Sequence, residues 1–94
     1  MARKKLSETE IETALSQLNG WKTENAQLKK RFEFKNFAES LEFVNKIGAI
    51  AEAADHHPDI YFGWGYAEFQ IMTHDAGGIT ENDFALAKEI DGIE

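Results

Sequence analysis

The sequence contains no cysteine, which excludes disulfides, thiolate metal sites, iron-sulfur clusters and a cysteine nucleophile, and removes any demand for an oxidising compartment. A long apolar run is also missing. The start, Met1-Ala2-Arg3-Lys4-Lys5, passes straight into Leu6-Ser7-Glu8, so neither a signal peptide nor a membrane span is expected, and the expectation is a cytoplasmic protein with no membrane partner. Basic charge is scarce: 10 Lys and Arg face 17 Asp and Glu, for a net charge of −7. That balance argues against direct nucleic-acid binding. Only Lys88 follows Lys46, so a charged ligand of the second half must tolerate a negative field.

What is present is 94 residues with 43% hydrophobic content. This suffices for one compact domain over residues 1–94 and is too little for two. A chain of this size buries a modest fraction of its surface, so self-association is expected.

Hydrophobic spacing sets the element order. Ser7-Glu8-Thr9-Glu10 is a capping box that starts a helix with Ile11, Ala14, Leu15 and Leu18 in one stripe, closed by Asn19-Gly20. Trp21 to Thr23 and Gln27 to Phe34 read as a hairpin across Glu24-Asn25-Ala26, with Leu28, Phe32 and Phe34 on one face. Asn36 with Glu39 caps a longer helix whose expected buried face is Phe37, Leu41, Val44, Ile47 and Ala51, ended by Pro58. Ile60, Phe62 and Trp64 alternate, as do Ala67, Phe69, Ile71 and Thr73, with Gly65 at the turn between them. Gly77-Gly78 breaks the chain, and Thr80 with Asp83 caps a last helix bearing Phe84, Ala87 and Ile90. The expected fold is therefore α+β and two-layered: a four-stranded antiparallel sheet made of two hairpins, with three helices packed on one face.

All three histidines, His56, His57 and His74, fall in one short stretch, each at an element boundary. Imidazole exchanges protons near neutrality, so the cluster points to acid-base chemistry. For His56 the alternative is a helix C-cap favoured by the dipole, and for His57 simple solvation. Glu52, four residues before His56 on one helical face, tips the balance toward function, because it could orient that ring or hold its proton. A metal site fits less well. Adjacent residues in an extended segment point to opposite sides, and no His-x-His or His-Glu-x-x-His spacing is present. Trp64 reads equally as core or as the wall of a concavity shared with His74. Asp83 reads first as the third residue of a capped helix. Asp55, Asp59 and Asp75 either tune the histidines or serve ordinary turns.

Glu52-Ala53-Ala54-Asp55-His56-His57-Pro58, then Trp64, then Thr73-His74-Asp75-Ala76-Gly77-Gly78-Ile79-Thr80 and Asp83, resemble the pterin-4a-carbinolamine dehydratases. Leu18-Asn19-Gly20-Trp21, the Phe32-x-Phe34 strand and the Phe37 helix extend the resemblance over most of the chain. It implies the same two-layer fold, assembled as a homodimer or homotetramer. The implied reaction is dehydration of 4a-hydroxytetrahydropterin to quinonoid dihydropterin in tetrahydropterin recycling, with no metal and no other cofactor, on a small-molecule pterin substrate that in some members belongs to molybdopterin metabolism instead. It further implies His56 and His74 as the acid-base pair, in either order, with His57 binding substrate, Glu52 as the orienting carboxylate, Trp64 in the pocket wall and Asp83 as a signature position. The rival reading within the same family is a protein-binding module of the dimerisation, co-regulator or assembly type, and a metal-dependent hydrolase stands third.

Overall fold

A computed structural model of the chain describes residues 4–93. The elements follow the expected order: α1 (Glu8–Leu15), β1 (Lys22–Glu24), β2 (Gln27–Glu33), α2 (Phe37–Ala54), β3 (Asp59–Gly63), β4 (Tyr66–Ile71), a short 3-10 turn (His74–Ala76) and α3 (Glu81–Asp91). The four strands form one antiparallel sheet in the order β1-β2-β4-β3. The two hairpins thus lie side by side through β2 and β4. The architecture is the two-layer α+β fold, with the helices over one face of the sheet.

Period-two alternation makes the core. Along β4, Ala67, Phe69 and Ile71 are fully buried, while Tyr66, Glu68 and Gln70 between them are partly exposed. Leu28 from β2, Ile47 from α2 and Ala87 and Ile90 from α3 close over that face at zero exposure. Each large aliphatic or aromatic side chain so buried contributes about 1.5–3 kcal/mol. The far end of α3 is tied to the first hairpin: the Trp21 indole N–H donates to Asp91 at 3.0–3.1 Å, and Lys30 Nζ lies 2.8 Å from the same carboxylate.

Besides α1, which ends at Leu15 instead of running through Leu18 to Asn19-Gly20, three expectations change. First, α2 ends at Ala54, not at Pro58, because Asp55 takes a left-handed conformation (φ +52°) and the N–H of His56 returns to the carbonyl of Ala51 at 3.1 Å. This cap stops the helix before proline can. Second, the buried face of α2 is Ser40, Phe43, Ile47 and Ala51, whereas Phe37 and Leu41 are 44% and 38% exposed. The helix has two apolar stripes, and the sheet covers the one that begins with Ser40, whose hydroxyl lies 2.6 Å from the Gly63 carbonyl. Third, Trp64 lies on neither strand. It sits with Gly65 (φ +80°) in the β3–β4 turn, 72% exposed.

Candidate active site

The cap that ends α2 also aims the first two histidines. With Asp55 left-handed, the chain turns sharply off the helix axis, and His56 and His57 enter the short segment leading to β3. His56 turns inward, toward the N-terminus of α3. There Thr80 and Asp83 form the expected capping box: the Thr80 backbone N–H donates to Asp83 Oδ2 at 2.7 Å. The other oxygen, Oδ1, lies 2.5 Å from His56 Nε2. Asp83 is wholly buried, and Oδ2 also accepts from the Thr73 hydroxyl at 3.0 Å. One carboxylate thus caps a helix and orients an imidazole.

His57 turns outward. Its Nε2 lies 2.5 Å from Glu52 Oε2, and both side chains are more than half exposed. This corrects the expected pairing. Glu52 serves His57 rather than His56, because the left-handed Asp55 rotates His56 away from the helical face on which an i, i+4 pair would meet.

The third histidine comes from the other hairpin. Beyond β4 the chain folds back on itself: the Thr73 N–H bonds the Gly78 carbonyl at 2.9 Å, and the Gly77 N–H bonds the Thr73 carbonyl at 3.0 Å. Gly77 has φ +73°, a conformation that glycine adopts without steric cost. This closed turn presents His74 and Asp75 at the surface. A cavity of 350 Å³ then has His56, His57 and His74 in its wall, with Asp55, Asp59 and Asp75 beside them. Among the described residues no three His, Asp or Glu side chains are arranged to hold a metal ion.

Trp64 does not reach this cavity. The six residues of β4 separate its turn from the His74 turn, a span of roughly 20 Å at about 3.3 Å per residue. Strand alternation suggested a shared concavity for the two, but they lie at opposite ends of the hairpin. A roomier groove of 560 Å³ runs between α1 and α3, against Leu6, Ala14 and Phe84. It holds no histidine. The residue that sequence reasoning missed is Thr73, which alternation marked only as a continuation of β4. The contact of His56 with Asp83 spans 27 positions, and no local spacing signals it.

Comparisons with known proteins point to one family. A sequence model of the family described as Pterin 4 alpha carbinolamine dehydratase matches residues 4–93. A protein of Sulfolobus acidocaldarius, provisionally named a pterin-4-alpha-carbinolamine dehydratase, is 50% identical over 90 residues, covering 96% of this chain and 99% of its own. A Picosynechococcus protein with the same provisional name is 47% identical over 89 residues, covering 95% and 97%. Among solved structures, a transcriptional coactivator/pterin dehydratase from Brucella melitensis superposes with a TM-score of 0.91 at 28% identity, over 95% of this chain and 97% of that one. A pterin dehydratase-like protein identified as a RuBisCO assembly factor in the alpha-carboxysome superposes with a TM-score of 0.63 at 29% identity, over 77% and 83%. With the family model matched over residues 4–93 and relatives 47–50% identical over nearly the whole length, the chain belongs to the pterin-4a-carbinolamine dehydratase family.

Proposed function

We propose that the protein is a dehydratase that converts 4a-hydroxytetrahydropterin to quinonoid dihydropterin and water by histidine acid-base catalysis. The observation that carries this reading is the convergence of His56, His57 and His74, from two separate segments, on one 350 Å³ cavity. In the reaction the C4a–O bond breaks as the oxygen gains a proton and leaves as water. A ring N–H loses its proton, and the freed electron pair completes the C=N bond. One proton is delivered and one removed, so two imidazoles suffice. His56 and His74 form the acid-base pair and His57 binds substrate. Glu52 orients His57, and Asp83 orients His56. Acidic neighbours suit a substrate whose edge is rich in N–H donors. The setting is tetrahydropterin recycling in the cytoplasm. No helix among the described residues is long and apolar enough to cross a membrane.

A stopped-flow dehydration assay with chemically prepared 4a-hydroxytetrahydropterin, run against the uncatalysed background, tests the reading. Rate acceleration that survives exhaustive EDTA treatment is expected. No acceleration removes the dehydratase, and loss with EDTA followed by recovery with zinc replaces acid-base catalysis with a metal mechanism.

A second reading has its own support. The exposed side chains of Phe37, Leu41, Tyr61 and Trp64 lie on α2 and the β3–β4 hairpin, and one structural relative is an assembly factor. These features suit a protein-binding module, and the same assay separates the two, since a module without catalysis leaves the background rate unchanged. The unpaired edge of β3, with Tyr61 53% exposed on it, also supports assembly as a homodimer or homotetramer.

A further inference from the structure

Behind His56 lies a buried hydrogen-bond chain. Asp83 is at zero exposure: His56 Nε2 lies 2.5 Å from Oδ1, and Oδ2 accepts from the Thr80 N–H at 2.7 Å and the Thr73 hydroxyl at 3.0 Å. The Thr73 hydroxyl, having given its proton to Asp83, must accept from Thr80 Oγ1 at 2.7 Å. Thr80 Oγ1 in turn accepts from the Asn82 N–H at 3.2 Å. Thr73 and Thr80 are each 2% exposed, so water does not compete for these bonds. With Asp83 ionised, it has no proton to give, and Nε2 of His56 carries the one between them.

We propose that Thr73 is a positioning residue which, through Asp83, locks His56 as the Nε2–H tautomer and leaves Nδ1 as the atom that exchanges a proton with substrate. The catalytic part of this inference rests on the dehydratase reading, whereas the tautomer does not. If His56 is the base, the substrate ring N–H proton passes to Nδ1, and the resulting imidazolium is balanced by Asp83. If it is the acid, the proton on Nδ1 passes to the departing hydroxyl. Either way the transfer occurs at Nδ1 while the Nε2 proton stays on the ring, hydrogen-bonded to Asp83. Thr73 suits the task because its backbone is pinned by the Gly78 carbonyl and the Gly77 N–H, so the turn that displays His74 and the anchor behind His56 are one unit.

Nitrogen-15 spectra of the histidine side chains of the full chain, recorded without substrate at a pH where the rings are neutral, test the lock directly. The expected result for His56 is a protonated Nε2 and a bare Nδ1; the opposite tautomer overturns the proposal, whatever the variants do. Thr73→Val keeps the branched shape and deletes the hydroxyl. It is expected to give a mixed tautomer and to lower kcat roughly 10- to 100-fold, as for loss of a hydrogen bond to a charged group. KM should hold, and Thr73→Ser should restore both the tautomer and kcat. A folded Thr73→Val protein with the wild-type tautomer and kcat overturns the proposal. A wild-type chain that shows the lock but turns over no pterin removes the dehydratase reading and leaves the lock standing.

Discussion

At the scale of single residues, the site divides three similar side chains by what each one touches. His56 is backed by a buried carboxylate, His57 by an exposed one, and His74 stands on a tight turn. A backed ring can hold a transferred proton; an exposed ring paired with a flexible glutamate is suited to binding. Replacing His56 or His74 with Ala is therefore expected to lower kcat by roughly 10²–10⁴-fold, as for a lost general acid or base. His57→Ala is expected to act mostly on KM, and Glu52→Gln, whose carboxylate meets His57, to follow it with a smaller rise in KM and an intact kcat. Steady-state kinetics of the four variants decide this. Full kcat in His74→Ala with loss in His57→Ala would move the pair to His56 and His57.

At the scale of elements, two local devices bear their own tests. The capping box of α1 uses Glu10, which accepts from the Ser7 N–H at 2.8 Å while its own N–H donates to the Ser7 hydroxyl at 3.2 Å. The hydrogen bond from the Ser7 backbone, then that to its side chain, holds the Glu10 carboxyl below its ordinary value of 4.5. A lowered carboxyl stabilises the fold at pH above 4.5, and that contribution fades as pH falls through the folded value. No residue of α1 is fully buried, and the cap adds to the packing of Ile11, Ala14 and Leu15 against the core. Amide protection factors in α1 are thus expected to fall at pH well below 4.5, and Glu10→Gln, which can still accept, is expected to abolish that pH dependence. The first hairpin offers the second test. Asn25 and Ala26 have φ +53° and +60°, the pair of left-handed residues that a two-residue I′ turn needs. Alanine there costs about 1–2 kcal/mol. That cost is partly offset because glycine loses more conformational freedom on folding, so Ala26→Gly should stabilise by up to about 1 kcal/mol and raise Tm by roughly 4–8 °C. A melting curve with an unchanged or lower Tm would reject that account.

At the scale of the whole molecule, the charge and the apolar surface are both unevenly spread. The acidic second half builds the mouth of the histidine cavity, while Tyr61 and Trp64 extend from the other side and end of the second hairpin. An edge strand with an exposed tyrosine and a neighbouring exposed tryptophan invites pairing with a second copy. Light scattering is expected to give at least twice the mass of one chain. Tyr61→Lys, a charge on the solvent face of that edge, is expected to shift the population toward monomer without loss of helix or sheet signal by circular dichroism. A wild-type monomer at high micromolar concentration would end this expectation.

The sequence by itself determined the element order, the caps at Ser7, Asn36 and Thr80, the first hairpin turn and the grouping of three histidines, because each depends on residues a few positions apart. Local spacing also made the second stripe of α2 look buried and gave Glu52 to His56. Tertiary structure decided otherwise in both cases. The sheet buries one face of α2, the one with Phe43, while Phe37, stacked on Phe62 at its edge, and Leu41 stay exposed. The left-handed Asp55 swings His56 onto a carboxylate 27 residues away and leaves Glu52 to His57. Trp64 was drawn toward His74 by alternation, yet the length of β4 keeps them at opposite ends. Spacing along the chain fixes which side chains can share a face; which of them meet across the fold is set by how the layers dock and where the backbone turns.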